Sequence, residues 1–385
     1  MSQQPSAVVG ADILTPEGIV RDHALLHDAG RIESIVPKAD LRAGVEVIEL
    51  DGGVLIPGFV DLQVNGGGGL MFNNAPDVET LRRMAEAHAR IGATSILPTL
   101  ITDTPEITEQ AIAAAIEAIE NGVPGVIGLH LEGPHLSRSR KGAHEANLIR
   151  PMEQTDLERL LAAAQKLPVL KVTIAPESVS DDQIRTLSEA GIVVSLGHTD
   201  ASYEDCRAAA EAGARCVTHL FNAQSQMGNR EPGTVGAALA LGELSAGLIA
   251  DKIHVHPASM RNAIRAKNGP GRVFLVSDAM ATAGSDIASF MLNSREILRS
   301  ENRLTLADGT LAGAHLELLD AVKNVAQLTD ASFETAVEMA SRIPADLVRQ
   351  EHLGRLSPGA EANILHIGAD QNLQSVWQNG SQLLS

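Results

Sequence analysis

Glu132, His198, His219 and Asp278 are the residues whose types and placement most plainly suggest chemistry. Each ends, or closely follows, a short apolar run. Two imidazoles and a carboxylate make a three-donor set for zinc that leaves one position open, as hydrolytic zinc requires. Asp278 lies in Val276-Ser277-Asp278-Ala279. A carboxylate at the end of an apolar strand is costly to bury unless it is paired or functional. It either caps the next helix or serves as a general base that later returns its proton as an acid.

Such residues act together only if the fold gathers them. Apolar runs occur at Val60 to Val64, Thr94 to Leu97, Val126 to Leu131 and Val169 to Ile174, then at Ile192 to Leu196, Cys216 to His219, Ala246 to Ala250 and Val273 to Val276. Helical patterns lie between them, such as Val78 to Ile91, Ile107 to Ile119, Asp156 to Leu167, Asp182 to Ala190 and Tyr203 to Ala212. Eight strand–helix repeats predict an α/β fold, a (β/α)8 TIM-like barrel. Catalytic groups in such a barrel sit on the loops that follow the strands. Gln63 and Asn65 close the first run, Glu132 the third, His198 the fifth and His219 the sixth; His254 follows the seventh and Asp278 ends the eighth. That concentration at one end of the strands predicts a shared site.

Both ends of the chain read as strands instead. Val8-Val9, Val20 to His27 and Arg31 to Val36 are β-type runs, with Asp28-Ala29-Gly30 as a hairpin turn. Asn363 to His366, Ser375 to Gln378, an Asn379-Gly380 turn and Leu383-Leu384 follow the same pattern. They predict a small β-sandwich domain built from residues 1–55 and 356–385 around a catalytic barrel at 56–355.

Composition narrows the partners. The chain has 385 residues, 44% hydrophobic and 20% charged, which is globular rather than disordered. A formal net charge of −18 supplies no basic stripe, so no nucleic acid is expected. A phosphate needs only a few local donors and stays open as a ligand. Cys206 and Cys216 form no C-x-x-C pair and are too few for a disulfide scaffold, which points to a reducing, cytoplasmic setting. The N-terminus MSQQPSAVVG lacks a signal pattern. No apolar run approaches the roughly 18 residues of a membrane span, so no membrane partner is expected.

Longer stretches carry a family likeness. They are PGFVDLQVNGGGG (57–69), GLHLEGPHL (128–136), KGAHEAN (141–147), SLGHTDA (195–201), THLFNAQSQMGNREPG (218–233), IADKIHV (249–255), VSDAMATAG (276–284) and GRLSPGAEANI (354–364). On these the chain resembles the N-acetylglucosamine-6-phosphate deacetylase family of the amidohydrolase superfamily. The resemblance implies hydrolysis of the acetamide of N-acetyl-D-glucosamine 6-phosphate to glucosamine 6-phosphate and acetate, in amino-sugar catabolism. It implies one divalent metal ion per subunit, zinc, on Glu132, His198 and His219, with Asp278 as the acid/base and His144 polarising the acetamide carbonyl. Asn222 and Ala223 would contact the sugar phosphate. Arg230 and His254 would bind its phosphate, reaching across from the mate in a homodimer whose active sites are shared. Ala312, Gly313 and Ala314 match a substrate-contacting loop, with Ala314 where the family has serine. Gln63 and Asn65 stand where other amidohydrolases carry a His-x-His metal pair, which implies one metal rather than two.

Several residues read more plainly. His130, two before Glu132, points to the same face and is expected to hydrogen-bond rather than ligate. Glu177 is expected to order a loop. The glycines at 66–69 lack a dinucleotide fingerprint and suit close backbone approach. Among competing functions, a cyclic-amide hydrolase would carry the His-x-His pair and a lysine after the fourth strand. Here that strand ends Thr173-Ile174-Ala175-Pro176, and Lys171 falls too early. A sugar-phosphate sensor without catalysis would be expected to have lost Asp278 or a ligand, and all four are present. A single-metal amidohydrolase acting on a related N-acyl sugar phosphate stays open.

Overall fold

The computed structural model describes residues 5–293 and 295–384, so the outermost ends of the expected terminal domain, 1–4 and 385, lie outside it. Eight parallel strands form one sheet: β1 (Val60–Val64), β2 (Ser95–Ile101), β3 (Leu129–Glu132), β4 (Leu170–Ile174), β5 (Val193–Leu196), β6 (Cys216–Val217), β7 (Ser245–Leu248) and β8 (Val273–Leu275). Their order in space is their order in sequence, as βαβ crossovers dictate. Pairing such as Glu132 with Thr173 and Leu196 with Val217 brings the strand ends level at one rim. Between β8 and β1 the ladder lapses. A single bridge, Val64 with Ala279, joins them above the strands.

The helices follow from spacing and caps. Val78–Arg90 buries Leu81, Met84, Ala85, His88 and Ala89, one stripe at helical period, and Asp77 caps it by accepting from the Thr80 N–H. Pro105–Glu120, Gln154–Ala164, Asp181–Glu189 and Tyr203–Ala212 follow the next strands. Gly233–Ala240, Pro257–Ala266 and Leu318–Leu328 complete the ring. None of the helices described is long and apolar enough to cross a membrane.

Both termini build two further sheets. One orders strands 31–37, 23–28, 6–9 and 46–49; the other orders 381–384, 373–378, 364–367, 54–57, 12–15 and 18–20. Asp22 with φ +55° breaks the expected continuous run from 20 to 27. Val54–Pro57 pairs with Ile364–Ile367, so the terminal sheet runs past residue 55 and leads straight into β1. The sequence reading missed a three-stranded insertion after β8, Ser289–Leu292, Arg295–Ser300 and Arg303–Thr305, which packs Phe290, Leu292, Ile297 and Leu304 over the barrel rim.

Trp377 is 1% exposed and fills the terminal core with Ile13, Leu25, Ile32 and Leu55. Trp377→Ala is expected to cost about 3–5 kcal/mol locally. Hydrogen exchange should rise across the terminal sheets while metal affinity of the barrel holds; protection unchanged in 54–57 and 364–367 would refute this coupling.

Candidate active site

Three donor atoms converge at the rim. Glu132 Oε1 lies 3.3 Å from His198 Nε2 and 3.1 Å from His219 Nε2, and the two imidazole nitrogens are 3.0 Å apart. A tetrahedral ion with bonds of about 2.0–2.1 Å separates its ligand atoms by roughly 3.3 Å, so the triangle has the size a divalent ion needs. All three residues are buried, and together they could hold a metal ion. The backbone explains the convergence: His198 and His219 sit at φ +46° and +30°, turning out of β5 and β6. Non-glycine residues hold such conformations only where their surroundings fix them.

The tautomers suit the task. His198 Nδ1 is 2.8 Å from the Arg140 carbonyl oxygen, which can only accept. Nδ1 therefore carries the hydrogen and Nε2 presents its lone pair. Burial works against the Glu132 carboxylate, but the His198 and His219 imidazoles beside it outweigh burial and hold its pKa well below the usual range.

Asp278 stands beside them at φ +51°, 9% exposed. Its Oδ1 accepts from Asn65 Nδ2 at 2.8 Å and from Gln63 Nε2 at 3.1 Å. Gln63 Nε2 also reaches both oxygens of Glu132, at 3.3 and 3.4 Å. The amides at the end of β1 thus donate to carboxylates through their N–H groups, while their oxygens, Gln63 Oε1 and Asn65 Oδ1, are buried without a hydrogen-bond partner. Burial, and then the neighbouring Glu132 charge, raise the pKa of Asp278 above the ordinary carboxylate value. That direction suits a group that must take up a proton and release it.

His144 closes the ring of polar groups. Its Nδ1 accepts from the Thr102 backbone N–H at 3.3 Å and lies 2.8 Å from the Thr102 hydroxyl. Burial, reinforced by nearby His198, keeps the imidazole pKa well below its usual value. A neutral ring that accepts at Nδ1 carries its hydrogen on Nε2, and Nε2 lies 3.9 Å from Glu132 Oε2. It is a ready donor to an oxygen gaining negative charge. A cavity of about 270 Å³ opens onto this constellation.

Residues 54–383 match the Amidohydrolase family. The chain belongs to the amidohydrolase family. It is 41% identical over 378 residues to an N-acetylgalactosamine-6-phosphate deacetylase of Shewanella sp. (strain ANA-3), covering 97% of this chain and 95% of that one. It is 34% identical to the N-acetylglucosamine-6-phosphate deacetylase of Haemophilus influenzae, covering 93% and 94%. The crystal structure of N-acetylglucosamine-6-phosphate deacetylase from Pasteurella multocida superposes with a TM-score of 0.94 at 34% identity, covering 98% and 99%. The (β/α)8 barrel with its small terminal domain is the architecture of these relatives.

The cavity of this amidohydrolase gathers some of the expected substrate residues and not others. Asn222, Ala223, His254 and Gly313 line it. His254 does so in its own chain, where the sequence reading expected it from the mate. Asp251 is the reason: its Oδ2 is 2.6 Å from His254 Nδ1, and its Oδ1 accepts from the backbone N–H groups of Ile253 and His254. Arg230 is exposed and does not line the cavity. Nor does it pair with Glu231, whose carboxylate is taken by the N–H groups of Tyr203 and Gly233. Ala312 and Ala314 are buried, at 0% and 1% exposure, and stand behind the cavity wall. Ala314 acts through its backbone, donating to the Asp278 carbonyl at 2.9 Å. The side chains at the wall are Thr310 and Leu311 instead.

Two groups escaped the sequence reading. Thr102 sets the His144 tautomer through a backbone N–H, which leaves no signature in residue type. Asp251 had one, an acid three residues before His254 after an apolar strand. His130 hydrogen-bonds to Thr99 and Thr173, at 3.0 and 2.7 Å, rather than joining the metal set. Glu177 orders the loop after β5 through Thr199 and the Asp200 N–H.

His219→Ala removes one of three donors. Titrating divalent ions into chelator-treated protein should show affinity reduced by more than about 100-fold. Affinity equal to that of the unaltered chain would place the metal elsewhere.

Proposed function

We propose that this amidohydrolase hydrolyses the acetamide of N-acetyl-D-glucosamine 6-phosphate, giving glucosamine 6-phosphate and acetate. The observation that carries this reading is the convergence of Glu132, His198 and His219 beside Asp278 and His144 in one cavity, in a chain whose relatives along nearly its whole length are deacetylases of amino-sugar 6-phosphates. The ion in this reading is a single zinc per chain, because Gln63 and Asn65 offer only amide oxygens, poorer metal ligands than imidazole, to a second ion. When bound, it supplies Lewis-acid activation of water and carbonyl.

The chain's own residues do the rest. Asp278 takes a proton from the attacking water as the new C–O bond forms. His144 Nε2–H donates to the carbonyl oxygen as it becomes an oxyanion. Asp278 then gives its proton to the nitrogen, the C–N bond breaks, and the amine leaves neutral. Asn222 and Ala223 orient the sugar phosphate, with His254 aimed at its phosphate by Asp251. Gly313 keeps the loop close: a Cβ there would lie 2.5 Å from Met280 Cγ. Cys206 and Cys216 are free and buried, in keeping with a reducing cytoplasm.

The Shewanella relative favours a second reading, in which the galactosamine epimer is the preferred substrate. The test is acetate release from each N-acetylhexosamine 6-phosphate, before and after chelation and zinc return. Turnover should track about one ion per chain. No release from either sugar phosphate, or a requirement for two ions, would overturn the reading.

Asp278→Asn keeps the shape and loses the proton acceptor. It should lower kcat by roughly three orders of magnitude while retaining fold, metal and substrate binding. Near-normal turnover would remove Asp278 from the mechanism.

Arg230 is exposed and free of ion pairs among the described residues. In this reading it serves the phosphate of the mate's site in a homodimer. A mixed dimer of Arg230→Ala and Asp278→Asn chains then has one site with both groups intact. Turnover at low substrate should exceed the sum of the two parents. Simple addition of parental activities would place Arg230 outside any shared site.

A further inference from the structure

Among the described residues, the seam between β8 and β1 is the one place where the barrel lacks a backbone ladder, and it lies directly under Asp278. A side chain occupies the gap. Asp61, on β1 and 0% exposed, accepts from the Ser277 N–H through both carboxylate oxygens, at 3.3 and 3.2 Å. It also accepts from the Ser277 hydroxyl and from the Gln63 N–H, the latter at 3.2 Å. The Ser277 hydroxyl in turn accepts from the Ala279 N–H at 3.1 Å. The peptide N–H groups on either side of Asp278 are therefore both tied to Asp61, one directly and one through Ser277.

Asp278 needs such a restraint. Its φ of +51° is one a side-chain-bearing residue keeps only when its neighbours fix it. The Asn65 and Gln63 side chains hold the end of the carboxylate, and the Asn65 and Gly66 N–H groups hold the Ala279 carbonyl just after it, at 2.8 and 3.2 Å. The root is held on one side by the Ala314 N–H donating to the Asp278 carbonyl, and on the other by Asp61. A group that must meet a water and then an amine within about 0.5 Å of the productive place depends on both.

We propose that Asp61 is a positioning residue for Asp278, acting across the barrel seam by fixing the two peptide N–H groups that flank it. Asp61 touches neither substrate nor ion in this assignment. Its role is specific to the acid/base, which distinguishes it from a residue that merely keeps the barrel closed. The inference rests on the hydrolytic reading above for its kinetic consequence, though not for its geometry.

The experiment is a double-mutant cycle of Asp61→Asn and Asp278→Asn, read on whichever sugar phosphate the unaltered enzyme turns over. Asp61→Asn keeps the shape but turns a donor toward Ser277. It should lower kcat by about 10- to 100-fold, with KM and metal content unchanged. In the Asp278→Asn background the same change should cost much less, because the proton acceptor that Asp61 positions is already gone. Full kcat in Asp61→Asn, loss of bound metal, or an equal loss in both backgrounds overturns the proposal. Should Asp61→Asn fail to fold, Ser277→Ala takes its place in the cycle; it removes the hydroxyl link and should show a smaller loss with the same non-additivity, and full kcat there overturns the proposal. Crystal structures supply an arm independent of turnover: the Asp278 carboxylate should move by more than about 0.5 Å in the Asp61 or Ser277 variant, and an unmoved carboxylate overturns the proposal. An unaltered enzyme that hydrolyses neither sugar phosphate would defeat the hydrolytic reading alone and leave the crystallographic comparison to decide the positioning role.

Discussion

Three carboxylates are buried close to the barrel axis, Asp61, Glu132 and Asp278, in a chain already carrying a formal charge of −18. Burying charge without compensation is among the costliest things a fold can do. The compensation is visible piece by piece. Glu132 takes two imidazoles, Asp278 takes two side-chain amides, and Asp61 takes peptide N–H groups and a hydroxyl. Even so, burial pushes Asp61 up to about 7, the mark of a carboxylate whose partners are mostly neutral. Lys171 is fully buried in the same interior, donating to the Leu62 carbonyl at 3.4 Å; burial lowers its pKa, with Cys216 and the surrounding carboxylates acting the other way. A metal ion, which Glu132, His198 and His219 could hold, would meet the remaining need, so that metal affinity and barrel stability would draw on the same negative field.

Backbone strain follows the same map. His198, His219, Phe221, Ala223 and Asp278 all have positive φ, and all lie where β5, β6 and β8 give way to loops. Regular strands would have carried these residues past the rim in an extended line. The left-handed turns bend them back toward one point instead. Such turns persist because neighbouring loops hold them, as Arg140 holds His198 and Ala314 holds Asp278. The site is thus a property of several loops locked together, and no single strand–loop unit contains it.

That distinction explains what the sequence could convey. Alternating apolar runs and helical stripes revealed the eight repeats, because period is local. Polar residues falling after those runs marked the rim, since β-strand direction and barrel geometry leave little choice. What escaped is non-local or typeless. The insertion at 289–305 consists of short strands whose alternation barely exceeds a loop's. That His254 lines its own chain's cavity depends on where Asp251 turns the chain, not on local pattern. Ala312 and Ala314 were assigned to the wall by likeness, whereas the loop's register puts Thr310 and Leu311 there.

The pairing of Val54–Pro57 with Ile364–Ile367 bears on how the molecule is made. A ribosome delivers the first of these strands long before the second, with the whole barrel in between. Until then the inner edge of that sheet offers unpaired backbone groups to any passing strand, a template for misassociation. Because the same strand runs directly into β1, the nascent barrel must begin beside an unfinished sheet. Completion of the last strands therefore acts as a closing stitch: a chain halted before residue 364 would keep an exposed edge that chaperones and proteases can recognise.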